Sequence, residues 1–188
     1  MKIAGIDYSI VSPALTILKD GVIEHIYTIR ATKKQESNSS LITLLDYPIY
    51  KTELERFDKL SSLFLNFIPS DTDFAYMEGY SYGSSVGVIF NIAEATGMMK
   101  YKFQKKFGYE LIVVPPTQIK KIATTKGNAK KRQMVDQFNA EQFDIYNAFG
   151  LVDDNLEKIK KPLDDICDSY FVAKYGYLCE KLSKISKI

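Results

Sequence analysis

The chain reads as an α/β fold: a five-stranded mixed sheet, three antiparallel strands and then parallel ones, flanked by helices. Three observations predict it. Short apolar runs over 2–7, 14–19 and 22–29 are divided by turn residues, with Asp20-Gly21 as a two-residue hairpin signal, so the chain opens as an antiparallel meander. A helical stretch over 52–67 then leads to another apolar run at 74–78, and a strand–helix–strand crossover implies a parallel pair. Both the first and the fourth run end in a lone acid, Asp7 and Glu78, which parallel pairing puts at one carboxyl edge of the sheet. In open α/β sheets that edge binds ligands.

Taken in order, Lys2 to Asp7 is a buried strand with a carboxylate at its tip. Ser9 to Pro13 turns the chain into Ala14–Lys19, and Val22–Ile29 completes the meander. Residues 31–50 are polar, then irregular, and read as a long loop. From Thr52 to Phe67, Leu54, Phe57, Leu60, Leu63, Phe64 and Phe67 share one helical stripe, which is core. Pro69 to Asp73 breaks the chain before the fourth strand. Gly79 to Ser85 is an aromatic loop carrying Tyr80 and Tyr82, and a long helix follows over Val86–Phe107. Its Ile89, Ile92, Ala93, Thr96, Gly97 and Met99 divide between core packing and a helix–helix seam. Lys100, Lys102, Lys105 and Lys106 at its end either flank a polyanion or complement the helix dipole. Tyr109–Val114 is the fifth strand, stopped by Pro115-Pro116. A short helix over 117–123, a loop over 124–128 and mainly helical chain over 129–148 come next. Residues 149–161 form a charged connector to a last helix from about Asp164.

The 188 residues suit a single domain, and 46% hydrophobic with 26% charged content is an ordinary soluble composition. No apolar run approaches the ~18 residues of a membrane span, and the first residues are not those of a signal peptide. Cys167 and Cys179 lie too far apart along one helix to pair, so a reducing, cytoplasmic setting is expected. A net charge of +2 does not announce nucleic-acid binding; any basic surface must come from clustering. One histidine, His25, leaves little room for a zinc site or a histidine-based triad. Carboxylates, lysines and a hard metal are left to carry any chemistry.

Pro162-Leu163-Asp164-Asp165-Ile166-Cys167-Asp168 places three acids at the start of the last helix. Acids there are ordinary partners of the dipole, yet residues three or four apart also share a face. With the apolar face running through Ile166, Tyr170, Ala173 and Tyr177, Asp165 and Asp168 lie on its flanks and Asp164 points nearly opposite. Asp165 and Asp168 are then the candidate working pair, and Asp164 the candidate cap. Added to Asp7 and Glu78, they form a set whose mutual repulsion calls for a cation. Oxygen donors alone select Mg2+ or Mn2+. Two such ions about 3.5–4 Å apart form the clamp for in-line displacement at phosphorus.

The order of elements and these acids resemble the RNase H-like superfamily, and within it the RuvC-type Holliday-junction resolvases in their phage-borne form. The matching residues are Gly5-Ile6-Asp7-Tyr8-Ser9, Glu78 after an apolar strand and Asp165-Ile166-Cys167-Asp168. Thr117-Gln118-Ile119-Lys120, followed by Gly127-Asn128-Ala129-Lys130-Lys131-Arg132-Gln133, extends the match over most of the chain. The resemblance implies Asp7, Glu78, Asp165 and Asp168 as ligands of two Mg2+ or Mn2+ ions per active site. It also implies Lys131 as a catalytic cation and Lys120 as a phosphate contact. Lys121, Lys126, Lys130 and Arg132 thicken that patch as general, sequence-blind phosphate contacts. In bacterial members an aromatic soon after the strand-four acid stacks on a junction base; here Ser81 holds the third position, flanked by Tyr80 and Tyr82. Either tyrosine can stack or pack, with Tyr82 preferred. The resemblance further implies a homodimer nicking two strands of a four-way DNA junction by paired hydrolysis, in a bacterial cytoplasm or that of a phage host. Two other readings stand beside it: an RNase H-fold nuclease for flaps or hybrids, and a non-catalytic junction-binding protein, against which the presence of all four acids argues.

Overall fold

Asp20 and Gly21 both adopt positive φ, 53° and 86°, the mirror-image turn that matches right-twisted strands, and so join β2 (Ala14–Lys19) to β3 (Val22–Ile29). With β1 (Lys2–Asp7) they form the antiparallel meander expected of the sequence. The computed structural model describes residues 1–80, 86–151 and 159–186. Within them the sheet has six strands, in the order β4-β3-β2-β1-β5-β6. The additional strand is β4 (Ile42–Leu45), which lies inside the stretch read as a loop and pairs in parallel with β3. Four residues after a polar run are too few to show a period, so only tertiary pairing reveals this strand.

Thr52 caps α1 (Glu53–Phe67) by accepting from the Glu55 amide at 3.2 Å. The helix buries Phe57, Leu60 and Phe64, whereas Leu54 is exposed and is not part of the core stripe. It returns the chain to β5 (Phe74–Glu78), parallel to β1. After α2 (Val86–Phe107), β6 (Ile112–Val114) adds to β5 in parallel. Lys102 of α2 reaches the Asp58 carboxylate at 2.6 Å and the Asp58 carbonyl at 2.7 Å, and Lys106 the Leu65 carbonyl at 2.7 Å. These two lysines therefore tie α2 to α1.

Among the described residues the remaining helices are α3 (Pro116–Thr124), α4 (Lys131–Glu141), the short α5 (Ile145–Ala148) and α6 (Leu163–Ile185). Strand alternation divides the core in two. Ala4, Ile6, Ala75 and Met77 face α1 and α2, while Ile3 and Tyr76 face α6. The same alternation turns Gly5 and Asp7 of β1, and Glu78 of β5, toward α6. That helix is covered on both sides, by the sheet and by α3 and α4, and is buried nearly all round from Leu163 to Ala173. Among the described residues no helix is long and apolar enough to cross a membrane.

Candidate active site

Residues Ile6 and Met77 are parallel partners, so Asp7 and Glu78 leave the sheet side by side at its carboxyl edge. The third acid arrives on α6, and two glycines let that helix come close. A Cβ on Gly5 would lie 2.3 Å from the Ala173 amide nitrogen and 2.4 Å from the Ser169 carbonyl oxygen, and one on Gly176 would lie 2.3 Å from the Tyr76 ring. A buried hydrogen bond of 2.7 Å between Thr16 and Ser169 fixes the rotation of the helix. Asp168, the next residue back, then meets the sheet edge. Asp7, Glu78 and Asp168 each offer a carboxylate oxygen within 4.8 Å of the others.

This gathering is costly to the bare protein. Burial, and then the charges of Glu78, Asp165 and Asp168, push the Asp7 carboxyl well above the usual carboxylate range. Asp168 is raised in the same way, by burial first and then by Glu78. Burial raises Glu78 to about 7, although Lys120, Lys131 and Lys161 oppose it. A hard divalent cation fits this donor set: three carboxylates, no nitrogen or sulfur, and a charge excess that a cation would relieve.

Asp165 stands beside the trio and is not part of the 4.8 Å group. Its Oδ1 accepts from the Lys161 ammonium, its Oδ2 is buried without a hydrogen-bond partner among the described residues, and burial raises its carboxyl to about 6. Asp164 corrects the expectation drawn from the helical wheel. It does not cap α6, whose N-cap is Pro162, and it does not face solvent, being only 3% exposed. A wheel assumes one buried face; α6 has two, and Asp164 points toward α4. There its Oδ2 accepts from Lys131 and lies 3.2 Å from the Lys161 ammonium. Lys161 keeps its charge against burial because Asp165 and Asp164 hold its ammonium above the usual lysine range.

Of the expected basic residues, Lys131 and Lys120 face the acids, as their effect on Glu78 records. Lys121, Lys126 and Lys130 are exposed around the α3–α4 turn. Arg132 bonds Asp136 at 2.8 Å and lies 5.4 Å from the centre of the Tyr146 ring. Tyr80 is 41% exposed and, with Gly79, Val113, Pro115, Thr117 and Lys120, lines a cleft of about 410 Å³ beside Glu78. Tyr82 lies outside the described residues. His25 shares a 2.7 Å hydrogen bond with Thr43 on β3 and β4, and it contributes nothing to the site. Sequence reasoning missed Lys161 and the buried role of Asp164. The signal was present as Lys161 three and four residues before two acids, a spacing that brings them together at a helix start.

Thermus thermophilus RuvC superposes on this chain with a TM-score of 0.61 at 14% identity, over 96% of each chain. The chain has the RuvC fold. RuvC from the same organism in complex with a Holliday junction substrate matches with a TM-score of 0.62 at 13% identity, again over 96% of each chain. The yeast mitochondrial Holliday junction resolvase Ydc2 gives 0.53 at 16% identity, covering 98% of this chain and 83% of its own. No family model and no curated protein matches the sequence. On this RuvC fold the acid trio occupies the carboxyl edge of the sheet, between the central strand and α6.

Proposed function

We propose that the protein is a metal-dependent, structure-selective endodeoxyribonuclease that resolves four-way DNA junctions. The observation that carries this reading is the convergence of Asp7, Glu78 and Asp168 from three separate elements, within 4.8 Å and flanked by lysines. Fold likeness to junction resolvases, one of them with junction substrate, supports the choice of branched DNA.

In this reading Asp7, Glu78 and Asp168, with Asp165 beside them, hold Mg2+ or Mn2+. When bound, two such ions supply an activated water and a Lewis acid for the leaving 3′-oxygen. The protein's own groups orient the strand. Lys120 and the exposed Lys121, Lys126 and Lys130 engage phosphates, and Lys131 places a positive charge where negative charge grows at phosphorus. Tyr80, on the wall of the cleft beside Glu78, offers a stacking face to a base. Paired nicking needs two copies of the chain, and α2 leaves Phe90 and Tyr101 exposed as the kind of surface a second copy would cover.

Cleavage of an end-labelled synthetic four-way junction by purified protein in Mg2+ or Mn2+ tests this directly. Symmetric nicks in two opposing strands are expected, and Asp7→Asn should abolish them while junction binding persists. Undiminished cleavage by that variant would refute the metal assignment. Flap and hybrid substrates at equal concentration complete the comparison, and faster cleavage of either would reassign the substrate.

A further inference from the structure

Lys161 stands just before Pro162, the N-cap of α6, and its ammonium donates to Asp165 Oδ1 while lying 3.2 Å from Asp164 Oδ2. Both carboxylate side chains are only 4% exposed. The other oxygen of each, Asp165 Oδ2 and Asp164 Oδ1, is buried and accepts no close hydrogen bond among the described residues, although the Ser12 hydroxyl stands near enough to Asp165 to favour its ionised form. Two ammonium groups, Lys161 on both acids and Lys131 on Asp164, thus serve a pocket that still leaves one buried oxygen on each acid without a close donor, as a place suited to a cation of higher charge would have. The position of Lys161 is itself constructed. Its carbonyl accepts from Gln35 Nε2 at 3.2 Å, and Gln35 Oε1 in turn accepts from the Ala31 amide at 2.6 Å.

Formal charge gives the arrangement a consequence. With every carboxylate ionised, as a bound cation would require, Asp7, Glu78, Asp164, Asp165 and Asp168 face Lys120, Lys131 and Lys161, which leaves two negative charges, the equivalent of one divalent ion. Without Lys161 the deficit becomes three, which one divalent ion no longer offsets.

We propose that in the DNA-free protein the Lys161 ammonium occupies the cation position at Asp165 and limits the site to one divalent ion, held by Asp7, Glu78 and Asp168. The second ion enters only when a backbone phosphate draws Lys161 away. This rests on the nuclease reading and adds to it a latch: the site is completed by the arrival of its substrate. The ammonium sits on a flexible four-carbon stem and its side chain is 43% exposed, so it can leave Asp165 without unfolding anything. The incoming phosphate attracts the lysine and at the same time restores the demand for positive charge.

The count of Mn2+ bound per chain, by calorimetry and by electron paramagnetic resonance, tests the latch without reference to turnover. One ion is expected on the DNA-free wild type, two on Lys161→Met, and one on the charge-keeping Lys161→Arg. The double variant Lys161→Met with Asp165→Asn should return to one, which locates the added ion. Should Lys161→Met fail to fold, the wild type decides alone: one ion without DNA and two with a phosphorothioate-linked junction. Two ions on the DNA-free wild type, or one on folded Lys161→Met, overturns the proposal. Failure of the underlying reading looks different: Asp7→Asn would then bind Mn2+ as the wild type does.

Discussion

The single carboxylate of Asp164 takes two ammonium groups at once, Lys131 from α4 and Lys161 from the approach to α6. Buried as it is, it cannot turn to water, so the lysines come to it and are thereby held near the acid trio. Lys131 alone is 63% exposed and would otherwise sample many rotamers. Asp164→Asn keeps the volume and removes the charge that gathers them. We expect single-turnover junction cleavage to fall by about 10- to 100-fold through misplacement of Lys131, with junction affinity almost unchanged. Rapid-quench kinetics beside a binding isotherm would check the split; equal loss of affinity and rate would make Asp164 a binding residue instead. At this scale the acids at strand tips were legible as a set, because each alone is an ordinary polar strand end but parallel pairing sends both to one carboxyl edge. Asp164 was not legible, because its burial depends on α4, which nothing in its own neighbourhood announces.

Two glycines do the corresponding work for the elements. Gly5 brings β1 against the backbone of α6, and no rotamer change can make room for a methyl group there, since the nearest atoms are the Ala173 nitrogen and the Ser169 oxygen. Gly5→Ala must push the helix outward and carry Asp168 from Asp7. The expected cost is about 1–3 kcal/mol or more of stability, with a matching loss of Mn2+ affinity. Thermal melting and metal titration of the same sample would measure both. Gly97 on α2 supplies the control, since a Cβ there meets nothing within 4 Å. In the isolated chain Gly97→Ala should be neutral or stabilising by about 0.5–1 kcal/mol, and any weakening of self-association would place Gly97 in the proposed seam between two copies. The helical and strand periods in the sequence foretold β1, β2, β3, β5, α1 and α2 well. The stretch holding β4 and the two-sided burial of α6 escaped them, since a sheet edge and a helix between layers take their pattern from distant chain.

Across the whole molecule, opposing sets of charges decide how stability responds to pH. Asp71, Asp20 and Glu55 are held below the usual carboxylate range by Lys2, the N-terminal amine and Lys59, and their contribution fades as pH falls. The site acids run the other way. Glu78 near 7, Asp165 near 6, and Asp7 and Asp168 well above their ordinary values all bind protons in the folded state that the unfolded chain releases from about pH 4 upward. A group that holds its proton longer when folded costs stability as pH rises from its unfolded to its folded pKa. The metal-free protein is therefore strained by its own site between about pH 4 and pH 7 and above. The ion-paired surface carboxylates are the same in every variant, so a difference between variants isolates the site. Asp7→Asn removes one repelling charge from the trio. Its melting temperature without metal should equal that of wild type near pH 4.5 and exceed it by several degrees at pH 7.5. Saturating Mg2+ should reverse the order, raising wild type more at pH 7.5 than at pH 5, because metal and protons compete for the same oxygens, and leaving Asp7→Asn nearly unmoved. Parallel melting curves for the two proteins across this range, with and without Mg2+, would show that these carboxylates do not share one electrostatic site.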